Sequence, residues 1–214
     1  MEHAGGPFLL GDFSVADLVF VPFLERMAAS LAYYKGHLLR QRHPGIARWF
    51  AALEQRPAYL GTQSDFHTHA HDLPPQMGGC QTRSTDVQRQ LAARIDNGPW
   101  PILWADQNDP ETSQPEPENS RLIALARTLQ HRQLLLHRNP LGPERFDAPL
   151  RAALTDLATA SPCPPPAGSA AGLRDLRNRI SVPRDMPLHA ARHLRQALER
   201  TACLDPARSE EHTS

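Results

Sequence analysis

The stretch Phe13-Ser14-Val15-Ala16-Asp17-Leu18 decides how the N-terminal part of the chain folds. Ser14 and Asp17 have the spacing of a capping box, in which a hydroxyl and a carboxylate satisfy backbone N–H groups at the start of a helix. Phe13 and Leu18 flank the box at the spacing of a hydrophobic staple. The residues that follow are apolar on almost every side, which predicts a buried, central helix over about residues 15–29.

A second helix is predicted over residues 45–55. Its apolar side chains recur at helical spacing and fall on one face: Ile46, Trp49, Phe50 and Leu53. Trp49 has the largest side chain of this face, so we interpret it as an anchor of the core.

These two pieces resemble one protein family. Residues 6–17 are similar to the segment that enters the core helix of the glutathione S-transferase C-terminal domain, and residues 43–59 are similar to the helix that closes that domain. The resemblance covers about residues 6–62. It implies an all-α fold with a glutathione S-transferase C-terminal-like core, incomplete at its N-terminus. A C-terminal helical extension follows, and we expect no substantial sheet.

The resemblance also implies a function for a longer parent protein. In the family, a preceding thioredoxin-like domain binds glutathione, the co-substrate, and carries the thiol-activating residue. The chain therefore looks N-terminally truncated, and we expect it to hold no catalytic residue and no cofactor and to bind no glutathione by itself.

By the same resemblance, the helical domain supplies an apolar wall for the second substrate of conjugation or thiol transfer, a small electrophile or thiol, and part of a homodimer contact. The positions that correspond to the wall are Phe20, Arg26, Tyr33 and Tyr34. Each can equally be an ordinary core or surface residue. The parent can also be a transferase-like binding or assembly module without turnover.

Alternating histidines mark residues 64–80, a segment similar to one that follows the transferase helix in proteins of cyanobacteria, algae and plants. Proline and glycine in this segment predict an ordered loop rather than a helix. In an extended loop the imidazoles project to one side, spaced about 6–7 Å apart. Imidazole and carboxylate ligands suit zinc and related metals, so the candidate ligands are His67, His69, His71 and Asp72.

Three interpretations of this segment stay open: a metal site, a hydrogen-bonded or solvated loop, and a lid. The spacing is not that of a structural zinc site, although Cys80 offers one more donor. A hydrogen-bonded or solvated loop needs no metal, and a loop that folds over the substrate cleft of the parent would act as a lid.

The rest of the chain divides by composition. The predicted organisation is a partial transferase-like domain (1–62), a loop and helix (63–105), an acidic proline-rich linker (106–120), a helical extension (121–204) and a disordered tail (205–214). Thr85 and Gln88 can cap a helix over residues 84–96, and the extension predicts helices over 120–137, from Pro143 on, over 173–180 and over 187–203. Residues 208–214 are what a common sequencing adapter would encode, so we exclude them from the fold.

A basic cluster stands out in the extension. Its members are Arg174, Arg177, Arg179 and Arg184. It is interpreted as a solvated face with ion pairs to Asp175 and Asp185, with an anion site as the alternative.

Composition excludes some classes of partner. The 23 basic and 23 acidic residues balance, so nothing favours nucleic acid as a partner. No apolar run approaches the roughly 20 residues of a membrane span. Three scattered cysteines, Cys80, Cys163 and Cys203, suit reduced thiols in the cytoplasm, or in a plastid for the parent.

The resemblance predicts low stability. The helices that would cover Val19, Phe23 and Trp49 in the family are not in the sequence. Each uncovered large side chain forgoes about 1.5–3 kcal/mol of burial free energy.

Overall fold

A computed structural model describes residues 5–98 and 116–209 of the chain, which separates into two compact units, Met1–Gln114 and Pro115–Ser214. Regular structure in the described residues is helical, apart from two isolated bridges, Phe8 with Gly11 and Leu10 with Asp12. The predicted all-α fold class is confirmed. Within the described ranges, no helix combines the length and apolar character that a membrane crossing requires.

The first unit is built from six helices in its described part, residues 5–98. They are α1 (Val15–Ser30), α2 (Leu39–Arg42), α3 (Pro44–Leu53), α4 (Pro57–Leu60), α5 (Phe66–Met77) and α6 (Asp86–Asn97), and a π-helical turn (Leu31–Lys35) extends α1. The helices predicted from capping and periodicity are confirmed to within a few residues. Helix α1 packs against α5, and alanines allow the close approach: Ala28, Ala29, Ala32 and Ala70.

A buried carboxylate fixes the start of α1. Asp17 is fully buried, and its Oδ2 accepts hydrogen bonds from the Ser14 N–H at 2.9 Å and the Ser14 hydroxyl at 3.1 Å, within the predicted capping box. Its Oδ1 accepts from the Leu9 N–H at 3.0 Å and from the Trp49 indole N–H at 2.7 Å. Burial opposes the charge, but these hydrogen bonds outweigh it and hold the pKa of Asp17 below its usual value of 3.8.

Trp49 is the core anchor that its spacing predicts. Together with its neighbours Phe50 and Leu53 it is buried, and Phe50 stacks edge-on against it at a centroid distance of 4.9 Å. The expectation that Trp49 lacks cover is wrong. Trp49 is fully buried in a cluster with Phe50, Leu53 and Tyr59, and other apolar side chains of the chain pack against this cluster, among them Phe8, Leu9, Phe13, Val21, Leu24 and Leu60.

The prediction that α1 is buried on all sides is also wrong. Leu18, Val19 and Phe23 are more than half exposed, and Leu18 therefore gains little from the predicted staple with Phe13. The reason is geometrical: one side of α1 packs on α3 and α5 of this unit, and the described residues put nothing over the other side.

The histidine segment is a helix, not the predicted loop. Asp65 caps α5 by accepting from the Thr68 N–H at 2.9 Å, and Gly78 ends it in the left-handed conformation at φ +72°. Pro74 lies inside the helix and cannot donate to the carbonyl of Ala70. The hydroxyl of Tyr34 donates to that carbonyl instead, at 2.6 Å, which makes the proline tolerable.

The second unit contains five α-helices within residues 116–209, namely α7 (Ser120–Gln130), α8 (Arg132–Arg138), α9 (Gly142–Thr159), α10 (Ala170–Arg179) and α11 (Leu188–Cys203), before a short 3₁₀ turn (Pro206–Ser209). The helix predicted over residues 120–137 is interrupted at His131. Helix α9, which is predicted from Pro143 on, buries an apolar stripe: Phe146, Leu150, Leu154 and Leu157. Most of the predicted linker, residues 106–120, lies outside the described residues, and the division into 1–62 and 63–105 stays a prediction.

Replacing Asp17 should destabilise the first unit. Because the carboxylate is buried and accepts four hydrogen bonds, we expect Asp17→Asn to lower the free energy of unfolding at pH 7 by about 3 kcal/mol. The folded pKa lies below the unfolded one, so this stabilisation is present above the unfolded pKa and is lost as the pH falls through the folded pKa. Urea unfolding at pH 7 and in acid measures the lost stability and its dependence on pH. Equal midpoints for Asp17→Asn and the exposed control Asp12→Asn would contradict the assignment.

The bond from Tyr34 to Ala70 can be tested by a double-mutant cycle. Tyr34→Phe leaves the Ala70 carbonyl buried without its donor, which should cost about 1–3 kcal/mol. Pro74→Ala restores a backbone N–H that can donate to the same carbonyl, so Tyr34→Phe should cost much less in that background. Thermal unfolding of the four proteins gives the coupling energy. Additive effects would show that the Tyr34 hydroxyl does not replace the backbone hydrogen bond that Pro74 cannot make.

Candidate functional site

Helix α1 presents an exposed apolar stripe. The stripe comprises six side chains at helical spacing, each between 45% and 73% exposed: Val15, Leu18, Val19, Phe20, Phe23 and Met27. Pro22 and Arg26 lie exposed on the same side. A contiguous apolar surface of this kind is typical of an interaction or ligand-binding site.

The four residues predicted to form a substrate wall fall into two environments. Phe20 and Arg26 are exposed on α1. Tyr33 and Tyr34 lie in the π-helical turn, with their rings edge to face at a centroid distance of 4.8 Å. The hydroxyl of Tyr33 donates to Asp96 Oδ2 of α6 at 3.0 Å. The structure therefore does not bring the four together at one surface.

Tyr34 is held as a hydrogen-bond donor. Its side chain is buried, and burial, followed by the neighbouring Cys80, raises the pKa of Tyr34 above its usual value of 10.0. The phenol therefore keeps its proton at neutral pH, as its bond to the Ala70 carbonyl requires.

The helical form of the histidine segment separates its candidate ligands. His67 and His71 are one turn apart on α5 and lie on one side, with ring centroids 4.5 Å apart. His69 points elsewhere, and its Nε2 lies 3.9 Å from Glu25 Oε2 of α1. His71 Nε2 lies instead 2.8 Å from Asp96 Oδ1 of α6.

His67, His71 and Asp96 thus form a compact group of donor atoms, all within 4.8 Å of one another. Among the residues that the structure describes, Asp72 does not belong to this group. Sequence reasoning missed Asp96 because it lies in a different helix, 25 residues after His71. The sequence signal that was available is His-x-x-x-His, which places two imidazoles on one face only if the segment is helical.

The four arginines of the basic cluster in the second unit pair with two different groups of acidic residues. Arg179 pairs with Asp175 and Arg184 with Asp185, as predicted. The other two arginines, Arg174 and Arg177, bind a carboxylate that sequence reasoning missed, that of Glu199 on α11. Burial opposes the charge on Glu199, but the two arginines outweigh it and hold its pKa below the usual value of 4.5.

A cavity of about 370 Å³ lies beside this cluster in the second unit. Its floor is apolar and includes Leu176, Ile180, Met186 and Leu194. Basic side chains also line it, with two from the cluster and two from α7 and α8: Arg127, Arg138, Arg179 and Arg184. Asp175 and Asp185 line the cavity as well and pair with Arg179 and Arg184, so Arg127 and Arg138 are the arginines of the lining outside these two pairs.

Comparison with known proteins assigns the N-terminal segment. Residues 2–52 match the family described as "Glutathione S-transferase, C-terminal domain". A 60-residue stretch is 32% identical to Protein IN2-1 homolog B of Oryza sativa subsp. indica and covers 28% of this chain and 25% of that protein. Two proteins of Arabidopsis thaliana are similarly related. Glutathione S-transferase L1 is 34% identical over 61 residues (28% of this chain, 25% of the relative), and Glutathione S-transferase L2, chloroplastic, is 33% identical over 60 residues (28% and 20%).

The chain spans about a quarter of the length of the curated relatives it matches. No solved structure matches it significantly. The matched residues contain the Asp17 capping box, most of α3 and the exposed stripe of α1. Over residues 2–52, this chain is therefore similar to the glutathione S-transferase C-terminal domain family.

Proposed function

We propose that the chain is part of a glutathione S-transferase-like protein, in which the exposed stripe of α1 forms part of the apolar wall for the second substrate. The observation that carries the proposal is the position of the stripe inside the family segment, residues 2–52. Glutathione would be the co-substrate, held by the thioredoxin-like domain of the whole protein, and the reaction would be conjugation to an electrophile or thiol transfer.

The stripe has the chemistry that such a wall needs. Phe20 and Phe23 offer aromatic surface to an apolar substrate, and Arg26 adds one positive charge at the end of the stripe. Tyr33 and Tyr34 have committed their hydroxyls to Asp96 and Ala70, so we assign them to the support of the wall rather than to substrate contact.

The rest of the stripe would be covered by neighbouring structure in the whole protein. The occupants that we propose are the preceding helices of the same domain and a homodimer partner, because a stripe of six large apolar side chains exceeds what one small substrate needs. The cytoplasm is the proposed compartment. A plastid is the alternative, since one of the relatives is Glutathione S-transferase L2, chloroplastic.

A chimera tests the proposal directly. Residues 5–62 would replace the corresponding part of Glutathione S-transferase L1 of Arabidopsis thaliana, and glutathione conjugation and thiol transfer would be measured. We expect an active chimera in which Phe20→Ala raises KM for the second substrate about fivefold, for roughly 1 kcal/mol of lost contact, and leaves KM for glutathione unchanged. Arg48→Ala, an exposed change on α3, is the matched control.

The outcomes separate the two functions that the family resemblance leaves open. Equal KM values for the second substrate in Phe20→Ala and Arg48→Ala would contradict the proposed apolar wall. A chimera that folds and binds glutathione but does not turn over would favour the non-catalytic binding or assembly module instead.

The chain itself should bind no glutathione. The family resemblance assigns the glutathione site to a thioredoxin-like domain, whereas the matched residues, 2–52, correspond to the helical C-terminal domain. Calorimetric titration of the chain with glutathione should give no binding heat, whereas the chimera should bind. Saturable binding by the chain would mean that a glutathione site exists outside the thioredoxin-like domain.

A further inference from the structure

The geometry points to a binding site for a divalent transition metal ion of the zinc type, formed by His67 and His71 of α5 and Asp96 of α6. The inference is independent of the transferase function. It differs from the arrangement that the sequence predicts, because Asp96 replaces Asp72 and His69 is not a ligand.

The distances suit such an ion. Zinc binds imidazole nitrogen and carboxylate oxygen at about 2.0–2.2 Å, so tetrahedral ligand atoms lie about 3.3 Å apart. His71 Nε2 and Asp96 Oδ1 are already 2.8 Å apart, and the remaining donors lie within 4.8 Å. The widest separation would have to close by about 1.5 Å for all three atoms to bind one tetrahedral ion.

The carboxylate is oriented by an outer partner. The Tyr33 hydroxyl donates to Asp96 Oδ2 at 3.0 Å and leaves Oδ1 facing His71. Hydrogen bonds of this kind fix ligand orientation in metal sites, and their removal commonly weakens affinity tenfold or more. The ring of Tyr33 also lies edge-on to that of His71, at a centroid distance of 5.7 Å, which limits the freedom of the imidazole.

Burial and donor type define the kind of ion. His67 is fully buried, whereas the side chains of His71 and Asp96 are 20% and 24% exposed, so an ion can enter from that side. Two imidazoles and one carboxylate favour zinc, cobalt or nickel over calcium and magnesium, which prefer all-oxygen ligands. Three protein ligands leave one coordination position for water, and the bound ion would cross-link α5 to α6.

The experiment uses the full chain, stripped with a chelator and then titrated with Zn²⁺ by calorimetry and with Co²⁺ by visible absorption. We expect one equivalent of metal to bind, with Co²⁺ bands typical of four-coordination and a raised melting temperature. His71→Ala and Asp96→Asn should weaken binding more than tenfold. The matched controls His69→Ala and Asp72→Asn should leave it unchanged, and so should Cys80→Ser.

Tyr33→Phe keeps the ligand set and tests its orientation. It should weaken Zn²⁺ binding about tenfold while circular dichroism of the metal-free protein stays the same. This variant keeps the inference falsifiable if His71→Ala or Asp96→Asn fails to fold. The inference is overturned if the wild-type chain binds no metal, if His69→Ala or Asp72→Asn abolishes binding, or if Asp96→Asn and Tyr33→Phe both bind Zn²⁺ as the wild type does.

Discussion

The buried carboxylate of Asp17 is the interaction on which the first unit depends. Its oxygens accept from the backbone of Leu9 and Ser14 and from the indole of Trp49, so one side chain joins the N-terminal segment, the start of α1 and the middle of α3. A buried charge is costly unless it is hydrogen-bonded, and here both oxygens are satisfied. The direction in which α1 leaves this junction determines which of its sides faces the core and which side carries the exposed stripe.

A second buried hydrogen bond determines the shape of the histidine segment. Pro74 would leave the Ala70 carbonyl without a donor, and the Tyr34 hydroxyl fills that gap from 36 residues earlier in the chain. With the helix intact, His67 and His71 fall one turn apart and face Asp96 of α6. The candidate metal ligands are thus a consequence of how a helix containing proline is satisfied, and an extended segment would have grouped different residues.

The sequence predicts those parts of the fold whose signals are local. The face of Trp49, Phe50 and Leu53 and the caps at Ser14 and Thr85 depend on residues within a few positions, and each is found where the pattern indicates. The loop predicted for the histidine segment is wrong because a count of prolines and glycines takes no account of a hydroxyl from elsewhere in the chain. Asp96 was not recognised as a partner for the same reason: helix pairing, rather than sequence spacing, brings it to His71.

Both proposals for the first unit depend on how α1 is held. Its N-terminal end is tied to α3 through Asp17 and Trp49, and its C-terminal end packs through Ala28 and Ala29 onto α5. A metal ion joining α5 to α6 would therefore act on the support of the stripe and not on its surface. The proposed apolar wall would need such support, because exposed aromatic side chains discriminate poorly unless the backbone beneath them stays in place. In these proposals the tyrosine pair would have this supporting role, since the hydroxyl of Tyr34 donates to Ala70 of α5 and that of Tyr33 to Asp96.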